Sequence, residues 1–195
     1  MVRFEAGYYE PMRFKLFDDT RLTQLAAALL RLRGGRMSYM KLIKLMYIVD
    51  RISLLRTGHP ISGDIYYSMK HGPVLSNALD LINTDPRLEA APSYWHRHIS
   101  APDKYEIALQ EDPGNGELSD FDESIIAEVF KEYGHLDRWS VVDLTHLFPE
   151  WEETNGSIRI PFENILQALG VAAARREKIL AKIAVLEADD LLFQQ

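Results

Sequence analysis

The chain has 195 residues, 47% of them hydrophobic, and carries a formal net charge of −7. A chain of this length and apolar content can bury a substantial core in one domain. It contains no cysteine, which excludes disulfides, thiolate metal sites, iron–sulfur clusters and cysteine nucleophiles. The acidic balance argues against non-specific binding of nucleic acid, which calls for an excess of Lys and Arg.

The sequence shows no signal for export or membrane insertion. Its first residues, MVRFEAGYYE, lack the apolar core of a signal peptide. No window approaches the roughly 20 apolar residues that a membrane-spanning helix needs. We therefore expect a cytoplasmic protein with no membrane partner.

The N-terminal third of the chain predicts an arm and two helices. Residues 1–19 are rich in aromatic side chains without a clear period, which predicts an irregular arm. From Thr20, apolar residues recur at helical spacing until Gly34-Gly35 ends the helix. A second helix is predicted over 38–58 and is apolar on more than one face, so we expect it to be central and buried.

The middle of the chain predicts strands as well as a helix. Alternation over Ile61–Met69 predicts a strand or extended segment. The Gly72-Pro73 pair is predicted to begin a third helix that ends near residue 82. Residues 94–99 and 104–109 predict two strands joined as a hairpin.

After a turn-rich segment, the remainder of the chain predicts four more helices. Ser119 or Asp120 is expected to cap the first of them and Ser140 the second. They cover about residues 119–133, 140–148, 161–170 and 171–191. The predicted fold is mainly α with a small antiparallel β element (α+β): a compact helical domain over 20–160, on which the helices of 161–195 pack.

Motifs for catalysis are absent from the sequence: it has no phosphate-binding glycine loop, no nucleophile elbow and no zinc-protease helix. His96 and His98 would share one face of a strand, but no third metal ligand is apparent. We therefore predict no metal site, no cofactor and no enzymatic activity.

The predicted order of three helices and a hairpin is also that of a winged-helix DNA-binding domain. The polar residues of the third helix, Ser76, Asn77 and Asp80, include no Arg or Lys to contact phosphates or guanines. A DNA-binding regulator therefore stays an alternative, and we do not expect a nucleic-acid partner.

Three motifs occur in order along the chain. They are YMKLIKLMYIVDR at 39–51, GHPISGD at 58–64 and YYSMKHGPV at 66–74. Thr145-His146 follows, and then Trp151. The ordered set resembles the Panacea domain of SocA-like antitoxins, in which a K-L-x-K-L-x-Y helix precedes a G-x-P-I-x-G-D-x-Y segment and a K-x-G-P-V turn. The resemblance covers roughly residues 22–151.

The resemblance implies a protein that neutralises a toxin encoded beside it by direct contact. One branch of the family implies an alternative role, as an adaptor that delivers its toxin to a cytosolic AAA+ protease. The aromatic N-terminal arm and the acidic end of the last helix are second candidates for a partner surface or for a homodimer contact.

Most of the motif residues are predicted to specify the fold. This set comprises Lys41, Leu42, Lys44, Leu45, Tyr47, Asp50, Gly63, Asp64, Gly72, Pro73, Val74, His146 and Trp151. We expect Asp50 and Arg51 to pair with the 63–70 segment, and His146 to bond to nearby backbone. Residues without an evident core role are predicted to bind the partner: Arg51, Tyr67, Lys70 and His71.

Overall fold

The computed structural model describes residues 17–88 and 90–192. The helices in this part of the chain are α1 (Asp19–Leu32), α2 (Tyr39–Thr57), α3 (Ser76–Asn83), α4 (Tyr94–His98), α5 (Asp120–Tyr133), α6 (Arg138–His146), α7 (Phe162–Ala168) and α8 (Ala173–Leu192). The strands are β1 (Arg36–Ser38), β2 (Tyr66–Met69), β3 (Gly72–Leu75), β4 (Glu106–Ala108) and β5 (Ile158–Ile160). The mainly α fold with a small antiparallel β element is confirmed.

Helix α2 is the centre of the fold. Every residue from Lys41 to Asp50 is buried, and the helix contacts α1, α5, α6 and β3. Leu42 and Leu45 are fully buried, and burying a leucine side chain stabilises a fold by about 1.5–3 kcal/mol. The prediction of a central, buried second helix is confirmed.

Two small antiparallel sheets flank this helix. The first has the strand order β3-β2-β5, and β2 and β3 form a hairpin whose turn is Lys70-His71. Tyr66 in the central strand faces Leu75 on one side and Ile160 on the other. The second sheet pairs β1 with β4. Strands β1, β3 and β5 were not predicted.

The predicted start of the third helix is wrong. Gly72 and Pro73 lie in strand β3, and the helix begins at Ser76. Pro73 is tolerated there because β3 is an edge strand, where a missing N–H need not interrupt the sheet. The N-terminus of α3 is capped from outside the helix, since the carboxylate of Asp64 accepts from the N–H groups of Asn77 and Ala78, both at 3.0 Å.

The predicted hairpin over 94–109 is also wrong. Residues 94–98 form helix α4, because Trp95 and Ile99, one helical turn apart, are both buried and Ser93 caps the helix start. Strand β4 pairs with β1 instead, and a single bridge joins Ile99 to Leu109. The wing of a winged helix therefore does not form in this segment, and that resemblance is not confirmed.

The C-terminal helices follow the prediction more closely. Ser119 caps α5 as predicted, in a reciprocal capping box with Asp122, whereas α6 is capped by Asp137 rather than by Ser140. Helix α8 packs on the end of α2: Arg175 donates to the Leu55 carbonyl at 2.6 Å. The division at residues 20–160 and 161–195 remains a prediction.

Two of the predicted regions lie largely outside the residues that the structure describes. The aromatic arm falls mostly in residues 1–16, which are not described, and α1 itself already begins at Asp19. The acidic side chains near the end of α8, beyond residue 186, are not described either.

Candidate partner-binding surface

The buried carboxylate of Asp50 joins α2 to the segment before β2. It accepts hydrogen bonds from the Ser62 N–H at 2.9 Å, from the Ser62 hydroxyl, and from the Tyr66 hydroxyl at 3.0 Å. Burial raises the pKa of Asp50 to about 6, and the three hydrogen bonds oppose that rise. The network anchors the 62–66 segment on α2, as expected for Asp50.

A second buried carboxylate, Glu150, joins α2 to the segment after α6. It accepts from the Tyr47 hydroxyl at 3.0 Å and from Arg51 Nε at 2.7 Å. The Arg51 guanidinium also lies 4.3 Å from the centre of the Phe148 ring. Arg51 therefore pairs with Glu150 and not, as predicted, with the 63–70 segment.

The two motif lysines of α2 bind backbone carbonyl groups. Lys44 Nζ donates to the Pro73 carbonyl at 2.6 Å, in the hairpin. Lys41 Nζ donates to the carbonyls of Gly134 and Leu136, where α5 ends. Burial lowers the pKa of Lys44 to about 7. The motif's polar side chains on α2 thus each hold a neighbouring segment in place.

The tip of the β2–β3 hairpin packs against the end of α6. Gly72 has a φ of +90°, and a Cβ atom there would lie 2.6 Å from Thr145 Oγ1. Trp151 Nε1 donates to the Met69 carbonyl at 3.1 Å, and the Trp151 ring stacks on His146 with 4.0 Å between ring centres. Nε2 of His146 is buried and has no hydrogen-bond partner among the described residues, so the predicted bond of His146 to nearby backbone is not made through this atom.

These contacts leave a partly apolar surface facing solvent, which we call the hairpin-tip surface. It consists of Lys70, His71, Trp139 and Trp151, together with Leu147, which directly follows His146 at the end of α6. His71 meets Trp139 edge to face, with 5.8 Å between ring centres. Trp139 is 48% exposed and Leu147 is 77% exposed. Exposed large apolar side chains set among polar neighbours are typical of protein-binding surfaces.

The structure brings two of the four predicted partner-binding residues together. Lys70 and His71 form the exposed hairpin turn. Tyr67 is partly buried against the core, and Arg51 is held in its ion pair. Their part in partner binding remains a prediction.

Sequence reasoning missed Trp139 and Leu147. The pattern of apolar residues in the α6 segment did not show which face of the helix is buried and which is exposed. The buried residues of α6 are Val141, Val142 and Thr145. A tryptophan out of phase with that face is a signal that could have identified this surface.

The described residues hold no group of three or more His, Asp or Glu side chains arranged to bind a metal. Both ring nitrogens of His96 lie within hydrogen-bond distance of other groups, the Ser93 hydroxyl at 3.0 Å and the Leu81 carbonyl at 2.8 Å. Within the same described part, no helix is long and apolar enough to cross a membrane.

Comparison with known proteins identifies the family. A model of the family described as antitoxin SocA-like, Panacea domain, matches residues 42–152, more than half of the chain. No curated protein and no solved structure matches significantly. The matched range runs from α2, through the β2–β3 hairpin, to the segment that carries Glu150 and Trp151. The chain therefore belongs to the SocA-like antitoxin family and carries its Panacea domain.

Proposed function

We propose that this protein is an antitoxin that neutralises a toxin encoded beside its own gene by direct protein–protein contact. The observation that carries the proposal is the match of the SocA-like antitoxin family over residues 42–152. Contacts of the motif residues support it indirectly. The motif's buried polar side chains make their hydrogen bonds to other groups of the protein, as Asp50, Tyr47 and Lys44 do. Recognition of a partner is therefore left to residues on the exposed surface.

We place the toxin on the hairpin-tip surface. Trp139 and Leu147 supply exposed apolar area there, and Lys70 supplies charge at the rim. Protein interfaces combine such an apolar centre, often with tryptophan, and a polar edge. The surface is held rigidly, because Lys44 and Trp151 tie the hairpin to α2 and to the segment after α6, and rigid groups lose little entropy on binding.

The first experiment is to express the neighbouring open reading frame alone and together with this protein. We expect the neighbour alone to stop growth, and this protein to restore growth and to co-purify with the neighbour. A harmless neighbour, or restored growth without any complex, contradicts the proposal. Loss of the toxin that depends on an AAA+ protease would favour the adaptor role. Binding to DNA that weakens steeply with salt would favour the regulator instead.

A matched pair of leucine substitutions tests the surface. We expect Leu147→Glu to abolish growth rescue and co-purification, because a charge replaces an apolar contact at the interface. Leu88 is 84% exposed and lies in a 3₁₀ turn after α3, so it is not part of the hairpin-tip surface. Leu88→Glu makes the same chemical change there and should leave rescue intact.

Growth rescue and pull-down yield are the two measurements, and circular dichroism verifies that both leucine variants are folded. Full rescue by Leu147→Glu would exclude this surface from toxin binding. Equal loss in both variants would point to an effect that is not specific to the surface.

A further inference from the structure

A cavity of about 350 Å³ lies between the start of α2, the β1–β4 pair and the loop that joins α5 to α6. It shares no residue with the hairpin-tip surface, which it adjoins where Arg138 lies against Trp139. Its lining residues are Arg33, Arg36, Met37, Ser38, Lys41, Lys104, Glu106, Leu136, Asp137 and Arg138. This volume is in the range of small-molecule sites.

The cavity is strongly positive although the chain as a whole is negative. Five of its ten lining residues are Arg or Lys, and two are acidic. Both carboxylates are already engaged: Asp137 caps α6, and Glu106 lies 3.9 Å from Arg36. An anion that enters the cavity therefore meets an excess of positive charge.

Four of the five cations have no carboxylate within salt-bridge distance among the described residues. One of them, Lys41, donates to two backbone carbonyls instead, which leaves Arg33, Lys104 and Arg138 for an anion. Arg138 lies over the rings of Tyr105 and Trp139, at 5.6 and 5.4 Å from their centres. Arginine stacked in this way keeps its in-plane N–H groups for an anion.

The start of α2 adds a further favourable field. Helix α2 is 19 residues long, and its N-cap Ser38 makes no side-chain capping bond. The Ser38 hydroxyl is buried and, within the described part of the chain, has no hydrogen-bond partner, although Ser38 lies at the wall of the cavity. Helix N-termini favour negative charge because the N–H groups of the first turn lack intrahelical acceptors. The first of these groups in α2, the Tyr39 N–H, already donates to the Tyr105 carbonyl at 3.1 Å, so the favourable field comes from the rest of the turn.

Like charges already disfavour one another at this site. The pKa of Lys41 is lowered from its ordinary value, first by burial and then by the nearby charge of Arg33, while the charge of Asp137 opposes the shift. Lys104 is held at the wall by a turn in which both central residues, Lys104 and Tyr105, have positive φ. A bound anion would relieve the repulsion between the cations.

We propose that this cavity binds a small organic phosphate, with the phosphate held by Arg33, Lys104 and Arg138 beside the start of α2. The cavity's volume of about 350 Å³ is in the range of sites that hold small organic ligands, which include mononucleotides. The exposed Tyr105 ring beside Arg138 offers a surface on which a planar organic group can stack. The proposal does not depend on the toxin, because the site belongs to this chain alone.

Isothermal titration calorimetry of the full chain with AMP and with pyrophosphate tests the proposal. We expect saturable binding that Arg33→Gln and Lys104→Gln each weaken at least about tenfold, since each removes a charge-assisted hydrogen bond. Both residues are exposed, so neither substitution should unfold the protein. Lys178→Gln makes the same charge change on the exposed side of α8 and should bind as the wild type does.

Three results would overturn the proposal. The first is no saturable binding of either probe at millimolar concentration. The second is unchanged affinity in both Arg33→Gln and Lys104→Gln. The third is binding of citrate, or of a DNA duplex alone, as tight as that of AMP, because the site would then recognise negative charge or a nucleic-acid backbone rather than a small phosphate.

Discussion

Buried ionisable side chains differ in how well their charge is compensated. Asp50 accepts three hydrogen bonds, and Glu150 faces the Arg51 guanidinium. Lys44 has the Pro73 carbonyl and no carboxylate within salt-bridge distance among the described residues. A carbonyl dipole offsets less of the cost of desolvation than an opposite charge does. Lys44 is therefore the costliest of these groups to keep charged.

Lys44→Met should change how stability depends on pH. Burial lowers the pKa of Lys44 from 10.5 to about 7, so between these values the unfolded chain binds a proton that the folded protein does not. The wild-type free energy of unfolding should then rise by about 3 kcal/mol from about pH 7 to about pH 9.5. Urea denaturation at both pH values should show that Lys44→Met lacks this rise.

The exposed Lys131 provides the control for that experiment. Lys131→Met should keep the wild-type rise, because an exposed lysine has nearly the same environment in both states. A Lys44→Met protein whose stability climbs as steeply as that of the wild type would contradict the assignment.

Glu150→Gln should destabilise the protein at neutral pH. The substitution keeps the shape but leaves the Arg51 guanidinium, 15% exposed, without its carboxylate. Breaking a buried ion pair from one side costs about 3 kcal/mol or more. Urea denaturation measures the loss, and Glu153→Gln, an exposed carboxylate three positions away, should change stability by less than about 0.5 kcal/mol. If Glu150→Gln lost no more unfolding free energy than Glu153→Gln, the ion pair would contribute nothing to stability.

At the scale of elements, side chains from distant segments complete the ends of several helices. Asp64 caps α3 in place of a residue of its own N-terminus. Lys41 donates to two carbonyl groups where α5 ends. Unpaired groups at helix termini are costly when buried. The short elements around α2 consequently depend on one another for stability.

The position of the β2–β3 hairpin depends on close packing of Gly72 against α6. Gly72→Ala places a methyl group 2.6 Å from Thr145 Oγ1 at a φ of +90°, whereas Gly114→Ala, at +71°, meets nothing within 4 Å. Backbone strain alone should cost Gly114→Ala about 1 kcal/mol. Gly72→Ala should lower the free energy of unfolding by about 2 kcal/mol more than Gly114→Ala does, because the added methyl group overpacks the contact with α6.

Chemical denaturation of the two alanine variants separates the steric effect from the backbone effect. Similar losses in both would mean that the hairpin tip shifts away from α6 without cost. In that case the hairpin-tip surface would be less rigid than its contacts indicate.

At the scale of the whole molecule, the C-terminal helices share the core of the family domain. Leu166 of α7 is fully buried, and Ile183 of α8 is 3% exposed. Ile179 lies against Gly58, where α2 ends. A shared core favours a single cooperative unfolding transition.

Leu166→Ala should lower stability by about 2–5 kcal/mol through the cavity that it creates, while unfolding stays a single transition. All three tryptophans precede residue 161, so their fluorescence reports the family domain, whereas circular dichroism reports every helix. The two denaturation curves of the variant should coincide. An earlier transition seen by circular dichroism alone would show that α7 and α8 unfold separately.

The sequence alone determined the long helices. Helices α1, α2 and α5 each have 14 residues or more, so their periodicity is averaged over several turns, and glycine or capping residues mark their ends. The buried character of α2 followed from the same pattern, because a helix that is apolar on more than one face has to be largely enclosed. The family, too, was recognisable from three ordered motifs.

Only the tertiary structure decided the short elements and the exposed surface. Residues 94–98 begin with Tyr94 and Trp95, aromatic residues that are common in strands, but Trp95 and Ile99 reach the core together when the segment is helical. Strand β3 exists because β2 supplies its hydrogen bonds, and no local pattern reveals a partner strand. The exposure of Trp139 and the gathering of cations around the start of α2 depend on which segments pack together. Such features are determined by contacts between segments that are distant in sequence, and the spacing of residues within one segment does not predict those contacts.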